Sequence, residues 1–368
     1  MMNFPEGIKK TITLLNQNGF EAYVVGGAVR DCLMNKTPKD YDIATDALPE
    51  QTKKCLSDFK TYDTGIKHGT ILAIVLGSEI EITTYRIDGS YKDRRRPDFV
   101  TFSKNLKEDL KRRDFTINAL ACSGTEIVDI FGGKNDIKNK IIRTVGNPDT
   151  RFNEDALRMM RALRFSSVLG FEIEENTKKS IFENQKLISS VSRERIYTEF
   201  LKLVSGENAK SVIKEFFPVL SLFTGITDCN LKGENLYLKL SSLYKTEKDA
   251  ENSLSYLKAD NKTKSFVLRL IKYRGKNLDK QILNKEGEEF GKVFDFCQAQ
   301  KLISSGECIF LKDLKIKGNH LKDLGFSGEE IKITLGKLLK KVHLDNSLNN
   351  YETLKKIAEE MKNDTIKR

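Results

Sequence analysis

Two aspartates, Asp40 and Asp42, are separated by one residue in the segment VVGGAVRDCLMNKTPKDYDIAT, which covers Val24 to Thr45. In a strand, residues i and i+2 point to the same face, about 6–7 Å apart. Two carboxylates held side by side repel each other unless a divalent cation lies between them, and Mg²⁺ prefers such oxygen ligands. A D-x-D in a solvated loop is the ordinary alternative, so the pair needs support from its context.

That context is a glycine pair, Gly26-Gly27, between a short apolar strand and a helix, with Arg30 one turn into the helix. Glycines let backbone N–H groups approach a triphosphate, and a guanidinium forks onto phosphate oxygens. A third carboxylate is available on the strand that holds Glu79 and Glu81. If this strand pairs with the D-x-D strand, one glutamate completes a two-metal clamp, with ions about 3.5–4 Å apart. For Glu79 an exposed position remains the alternative.

A second constellation lies in EDALRMMRALRF, where Asp155 and Arg158 stand at i and i+3 of an expected helix. The carboxylate accepts and the guanidinium donates, which matches the amino group and ring nitrogen of cytosine or adenine. Uracil and guanine present the reverse order, so the pair would refuse them without a template. A surface salt bridge worth under about 1 kcal/mol is the alternative. Arg161 and Arg164 continue the spacing, and helical rotation places Arg164 nearly opposite Asp155, towards phosphate or another domain.

Two further basic segments precede this helix. In Arg112-Arg113-Asp114, an arginine reaches phosphate or sugar oxygens and Asp114 accepts from a ribose 2′-OH, unless the run is a solvated helix start. Arg94, Arg95 and Arg96 lie in a loop between two expected strands. A basic loop there would guide an RNA end or neutralise triphosphate charge.

The elements that position these residues form an α+β fold. Helical spacing predicts a helix over Ile8 to Gln17 that ends at Asn18-Gly19, and Gly77-Ser78 indicates a hairpin. Strands are expected at Ala22 to Val25, Tyr41 to Ala44, Ile71 to Leu76, Glu79 to Tyr85 and Phe99 to Phe102. They predict a small, mostly antiparallel or mixed sheet. From about residue 139 strand signals vanish, and an all-helical remainder is expected, including a helix from Met159 that stops at Gly170-Phe171.

Composition excludes several classes of protein. The 368 residues carry 63 Lys plus Arg against 52 Asp plus Glu, a net charge of +11 that favours a polyanionic partner or, alternatively, a solvated lysine-rich surface. No apolar stretch is long enough for a membrane span, and the absence of a signal-peptide core predicts a cytoplasmic protein. The six cysteines form no C-x-x-C pair and the three histidines are scattered. Neither a disulfide framework, a zinc site nor a histidine-dependent triad is expected.

The stretch GGAVRD…KDYDIAT resembles the signature of the polymerase-β-like nucleotidyltransferases. It is most similar to their class II branch, which holds the CCA-adding tRNA nucleotidyltransferases and the bacterial poly(A) polymerases. Four more segments follow in the family's order: RRDFTINALA (112–121), DIFGG (129–133), EDALRMMRALRF (154–165) and SRERIYTEF (192–200). The resemblance covers residues 22 to about 205.

The resemblance implies a catalytic head over 1–138, a helical neck for base recognition over 139–206, a helical body over 207–300 and a tRNA-binding helical tail over 301–368. It places Arg161 and Arg164 at the nucleotide and makes the loop containing Arg94, Arg95 and Arg96 the flexible element used on switching from CTP to ATP. The sequence departs from the family where Ile130 and Ala156 replace usual prolines and Met34-Asn35-Lys36 replaces a typical Leu-Gly. These are positions of loop geometry rather than of chemistry.

The expected function is template-independent addition of C, C and A to the 3′ end of tRNA from CTP and ATP, with pyrophosphate release. Mg²⁺ held by Asp40 and Asp42 would assist, and a second ion would neutralise the triphosphate; no membrane or protein partner is implied. The alternatives are a poly(A) polymerase, a partial CC- or A-adding enzyme, a small-molecule nucleotidyltransferase and a non-catalytic RNA-binding protein. The stretch DTGIKHGT over Asp63 to Thr70 looks like the CCA-adding version of its segment.

Overall fold

The computed structural model describes residues 2, 4–89 and 99–366, with the side chains described as far as residue 363. Arg94, Arg95 and Arg96, which the sequence places in a functional loop, lie outside the described residues. The chain forms two compact units. The first contains the residues up to Leu231 together with Leu243–Asp260, and the second contains Lys232–Ser242 and the residues from Asn261 onwards.

The described strands are β1 (Ala22–Val25), β2 (Tyr41–Thr45), β3 (Lys60–Gly65), β4 (Thr70–Val75), β5 (Ser78–Thr84), β6 (Arg86–Asp88), β7 (Val100–Phe102), β8 (Leu120–Cys122), β9 (Ile127–Asp129), β10 (Ile141–Ile142) and β11 (Glu172–Ile173). Seven of them form one sheet in the order β3-β4-β5-β2-β1-β8-β9. Its neighbours are antiparallel except for the parallel pair β2 and β5, so the predicted mixed sheet is confirmed. The short strands β6 and β7 form a separate antiparallel pair.

The helices of this part are α1 (Glu6–Gln17), α2 (Gly27–Leu33), α3 (Pro49–Cys55), α4 (Leu106–Lys111) and α5 (Gly133–Asn139). The predicted helix over Ile8 to Gln17 is α1, which buries Ile8, Ile12 and Leu15 from one face in the same core as Val24 and Ile43 of the sheet. This spacing of four and three residues is the helical repeat that predicted it. Alternate residues of β4 (Ile71, Ala73 and Val75) are buried in the same core.

The turn between β4 and β5 differs from the prediction by one residue. Ser78 already pairs with Val75, so the connecting residues are Leu76 and Gly77, both with positive φ (49° and 79°). A two-residue hairpin needs this left-handed backbone at both positions, and its twist matches that of the strands. Leucine is rarely found there, which is why the sequence favoured Gly77-Ser78 instead.

The remaining helices are α6 (Pro148–Glu154), α7 (Leu157–Leu169), α8 (Glu175–Asn184), α9 (Arg193–Ser205), α10 (Ala209–Glu215), α11 (Phe217–Thr224), α12 (Leu236–Ser242), α13 (Glu247–Tyr256), α14 (Asn261–Lys272), α15 (Lys280–Glu286), α16 (Glu288–Phe294), α17 (Phe296–Ser304), α18 (Gly318–Asp323), α19 (Gly328–Leu344) and α20 (Tyr351–Ile366). As predicted, α7 stops at Gly170, which adopts a left-handed conformation (φ 71°). In the described residues, no helix is both long and apolar enough to cross a lipid bilayer.

The expectation that strands end before residue 139 is wrong in one detail. The two-residue strands β10 and β11 pair in parallel, with Ile141 opposite Glu172 and Ile142 opposite Ile173. Such a pair is too short for the alternation that identifies a strand in a sequence. The division into head, neck, body and tail stays a prediction.

Candidate active site

One cavity of about 590 Å³ in the first unit gathers charged residues that are far apart in the sequence. Its lining contains seven arginines and four aspartates, so the wall carries a formal excess of positive charge. The lining residues are Gly27, Arg30, Asp40, Asp42, Arg112, Arg113, Asp114, Asn118, Asp155, Leu157, Arg158, Arg161, Arg164, Phe165 and Arg195. A polyanion such as a triphosphate fits this charge balance.

Ten of the residues singled out in the sequence line this cavity: Gly27, Arg30, Asp40, Asp42, Arg113, Asp114, Asp155, Arg158, Arg161 and Arg164. Gly26 borders it: a Cβ atom there would lie 3.0 Å from Arg113 Nη1, and its φ of +73° also favours glycine. Glu81 is not among the lining residues, but lies opposite Asp42 in the sheet. The structure thus brings the two predicted constellations into one cavity.

The carboxylates lie at the start of β2. Asp40 precedes the strand, and Asp42 is its second residue. The condition for a third carboxylate is met, since β5 pairs in parallel with β2 and Glu81 lies opposite Asp42. A metal-binding role for Glu81 stays a prediction. Partial loss of hydration and then the charge of Glu81 raise the pKa of Asp42; Arg113 opposes this and Asp40 adds to it.

This crowding of negative oxygens fits a hard divalent cation, which would relieve the repulsion that raises the Asp42 pKa. Within the described ranges, no group of three or more His, Cys, Asp or Glu side chains is arranged to hold a metal ion. The fit is therefore to a cation held by few carboxylates and completed by substrate oxygens, which is the mode that Mg²⁺ adopts with phosphates.

A chain of hydrogen bonds crosses the cavity from α2 to α7. Arg30 Nη1 donates to Asn118 Oδ1 (2.7 Å), Asn118 Nδ2 donates to Asp114 Oδ1 (3.1 Å), and Arg161 Nε donates to Asp114 Oδ2 (2.8 Å). Burial disfavours the charge on Asp114, but the charge of Arg161 and the bonds from Asn118 and Arg161 outweigh it and lower the pKa to about 2. The backbone N–H of Phe115 also donates to Oδ1. Arg161 Nη2 donates to Oδ2 as well. Each Asp114 oxygen thus already accepts two N–H donors, and a ribose 2′-OH would have to displace one.

Arg112 and Arg113 are held from beneath by Asp109, whose side chain is fully buried. Arg112 Nε donates to Asp109 Oδ1 (2.9 Å) and Arg113 Nη2 to Asp109 Oδ2 (3.0 Å). Burial raises the Asp109 pKa, but the charges of Arg113 and then Arg112 reverse the effect and hold the pKa below its usual value. The two arginines follow the end of α4 and are not a solvated helix start.

The segment from Glu154 to Phe165 is not a single helix, contrary to the expectation from the sequence. Asp155 follows the end of α6 in an extended conformation (φ −141°, ψ 103°), and α7 begins only at Leu157. The Asp155 carboxylate accepts the N–H of Leu157 (3.0 Å), and such local side-chain bonds compete with continuation of a helix. Arg158 Nη1 donates to Glu154 Oε2 (2.7 Å), and its Nη2 donates to the carbonyl of Arg112 (3.0 Å).

The expected position of Arg164 is corrected for the same reason. Since Asp155 is not part of α7, the helical rotation counted from it does not hold, and Arg164 lines the cavity with Asp155 rather than facing away. Its Nε lies 2.7 Å from Glu199 Oε2, and its guanidinium lies 3.8 Å from the centre of the Phe165 ring. The guanidinium of Arg161 lies 5.4 Å from the same centre.

Four cavity residues received no role from sequence reasoning: Asn118, Leu157, Phe165 and Arg195. All four lie inside segments that resemble family motifs, which is the only signal that pointed to them. The bonds from Arg30 to Asn118 and from Arg195 to Asp155 join residues 88 and 40 positions apart, and no spacing rule reports such contacts.

Residues 22–143 match the family model described as the Poly A polymerase head domain, and residues 170–217 match the probable RNA and SrmB-binding site of polymerase A. The CCA-adding enzyme of Ligilactobacillus salivarius is 37% identical over 406 residues, covering 97% of this chain and 98% of that protein. This chain belongs to the family of the CCA-adding enzymes. The resemblance seen in the motifs and the predicted nucleotidyltransferase class are therefore confirmed.

Other members of the CCA-adding enzyme family have a higher sequence identity to this chain over a shorter aligned length. The Enterococcus faecalis protein is 53% identical over 203 residues, so the alignment spans 55% of this chain and 50% of that protein. The crystal structure of the Bacillus stearothermophilus CCA-adding enzyme in complex with CTP is 31% identical, with a TM-score of 0.77 and 98% of both chains covered. Nucleotidyltransferases of this family generally use divalent metals.

Proposed function

We propose that this chain adds C, C and A to the 3′ end of tRNA, using CTP and ATP without a nucleic-acid template and releasing pyrophosphate. The observation that carries this proposal is the single cavity that holds both the Asp40/Asp42 carboxylates and the Asp155/Arg158 pair. Membership of the CCA-adding family supports the choice of tRNA as acceptor. The net charge of +11 suits a phosphate-rich partner.

Base choice follows from the hydrogen-bonding groups that Asp155 and Arg158 still offer. Each Asp155 oxygen accepts one described protein donor, from Leu157 or from Arg195, which leaves acceptor capacity for an exocyclic amino group. Arg158 keeps donors beyond those bound to Glu154 and to the carbonyls of Arg151 and Arg112, and these suit N3 of cytosine or N1 of adenine. Uracil and guanine would set acceptor against acceptor, and a site of this kind rejects them because buried groups stay unpaired.

The triphosphate is assigned to the arginine-rich part of the wall. Gly26 and Gly27 leave room for phosphate oxygens to approach the backbone, and Arg113 is the nearest side chain to Gly26. Arg30 is committed to Asp31 and Asn118, so it acts by charge and by holding Asn118 unless a phosphate displaces them.

Asp40 and Asp42 are the residues that would hold Mg²⁺, with Glu81 beside them; a two-metal site is proposed. When bound, such cations lower the pKa of the attacking 3′-OH and neutralise charge on the triphosphate. The chain itself fixes the carboxylates through the β2–β5 pairing, which aligns Asp42 with Glu81. Arg161 and Arg164, on α7, are held in the lining of the cavity by their ion pairs with Asp114 and Glu199.

The chain would divide its work among four parts. The head (1–138) would carry the chemistry, the neck (139–206) base recognition, and the body (207–300) and tail (301–368) the grip on tRNA. We also propose that the protein is located in the cytoplasm.

The test is incorporation by the full chain into tRNA lacking its 3′ CCA, with each nucleoside triphosphate alone and with CTP plus ATP. CTP alone should add two residues, ATP alone none, and the mixture three. A long run of A would overturn the proposal in favour of a poly(A) polymerase, addition of only C or only A would indicate a partial enzyme, and no addition at all would favour an RNA-binding protein. Asp42→Ala serves as the inactive control.

A further inference from the structure

Arg195, near the start of α9, reaches back 40 positions in the sequence to Asp155. Its Nη2 donates to Asp155 Oδ2 at 2.9 Å, and the two side chains are 26% and 15% exposed. The other carboxylate oxygen, Oδ1, accepts the N–H of Leu157. The two oxygens of Asp155 are therefore fixed by different elements, α9 on one side and the start of α7 on the other.

This double attachment matters because Asp155 has no helix of its own. It stands in extended backbone between α6 and α7, where a free side chain would rotate. Reading the edge of a base requires a carboxylate whose remaining lone pairs point in one direction. Leu157 fixes one oxygen but leaves rotation about that bond, and the bond from Arg195 removes it.

The bond to Asp155 is what sets Arg195 apart from the other arginine near the start of α9. Arg195 Nη1 and Arg193 Nη1 are both buried, and neither has a hydrogen-bond partner in the part of the chain that the structure describes. Arg195 differs because its other terminal nitrogen, Nη2, donates to Asp155 Oδ2.

We infer that Arg195 is a positioning residue for base selection, acting through Asp155; this inference rests on the proposed function. It holds the carboxylate in the orientation that accepts an amino group. Without it Asp155 turns and accepts cytosine and adenine less well, while the refusal of uracil and guanine weakens. The substrate class is thus set by a contact between α9 and the segment before α7, not by Asp155 and Arg158 alone.

The experiment measures kcat/KM for CTP, UTP, ATP and GTP on tRNA acceptors that end one step before each addition. Arg195→Leu should lower the CTP:UTP and ATP:GTP ratios by about 10- to 100-fold, the effect of losing a charged hydrogen bond. Arg195→Lys, which keeps charge but not the planar fork, should fall between. Arg193→Leu is the matched control, since Arg193 lies on the same helix but stacks on Tyr256 at 4.2 Å; its ratios should equal those of the wild type.

A double variant separates positioning from folding. If Arg195 acts through Asp155, the double variant Asp155→Ala/Arg195→Leu should have the same CTP:UTP and ATP:GTP ratios as Asp155→Ala alone. Equal loss for all four nucleotides, or unchanged ratios in Arg195→Leu, overturns the inference. Should Arg195→Leu fail to fold, the ratios of Arg195→Lys decide in the same way. A wild-type chain that adds neither C nor A would instead refute the proposed function.

Discussion

The Asp114→Asn substitution tests the hydrogen-bond chain across the cavity. Asp114 accepts from Arg161 on one oxygen and from Phe115 and Asn118 on the other. An asparagine can accept on one side only, and its NH₂ group would face donors on the other. The variant should therefore loosen the attachment of α7 to the segment 112–121.

The size of the effect follows from the Asp114 pKa. A fall from 3.8 to about 2 on folding means that the ionised carboxylate stabilises the folded chain by about 2 kcal/mol at pH 7. Since the substitution also opposes two donors, we expect a loss of about 2–3 kcal/mol. A carboxyl group whose pKa is lowered on folding stabilises the folded chain at pH values above its pKa in the unfolded chain. The difference in unfolding free energy between wild type and variant should therefore be constant at neutral pH and shrink as the pH falls from 3.8 towards about 2.

The assay is urea unfolding across this pH range, combined with hydrogen exchange on peptides from α7, because a chain with two compact units need not unfold in one step. Asp58→Asn, at an exposed aspartate of the same unit, is the matched control and should change neither measurement. A loss below about 0.5 kcal/mol at pH 7, within the range of ordinary surface substitutions, would refute the reasoning. So would a loss that persists undiminished at pH 2.

Further predictions concern the carboxylates, the glycine pair and the aromatic wall. Asp42→Asn should abolish nucleotide incorporation. It should also raise the unfolding midpoint in metal-free buffer at pH 7, because the raised Asp42 pKa means that the charged carboxylate is unfavourable in the folded chain. This gain should vanish below pH 3.8, and a lower midpoint at pH 7 would contradict the reasoning. In Gly26→Ala the new Cβ atom crowds Arg113 and the alanine is also strained by the left-handed backbone. In Gly19→Ala (φ +83°) the backbone strain is present, but no atom lies within 4 Å of the new Cβ atom. Only Gly26→Ala should therefore reduce incorporation, through a measurable rise in the KM for nucleotide. Equal KM values in the two variants would count against crowding. Phe165→Leu removes the ring beneath Arg164 and should cost about 1 kcal/mol of nucleotide binding, seen by titration calorimetry. Unchanged affinity would show that this contact does not contribute to nucleotide binding.

The sequence predicted most of the sheet and the two chemical constellations because these depend on local patterns. A run of apolar and β-branched residues identifies β4, and the D-x-D spacing places Asp40 and Asp42 at the start of one strand. The glycine pair also follows from local backbone demands, since Gly26 has positive φ. Each of these features spans fewer than ten residues.

What the sequence did not predict depends on contacts between distant residues or on competition between local ones. The break at Asp155 arises because its side chain accepts the N–H of Leu157, although helical periodicity continues through the segment. That break changes which way Arg164 points. The bond between Arg195 and Asp155 spans 40 positions, and only the folded chain brings them together.

The most direct test of the central claim is a crystal structure of this chain with CTP. The account predicts that the cytosine amino group lies within hydrogen-bond distance of the Asp155 carboxylate and N3 within that distance of the Arg158 guanidinium, with the triphosphate near Asp40 and Asp42. A cytosine bound away from residues 155 and 158, or a triphosphate outside the cavity, would contradict it.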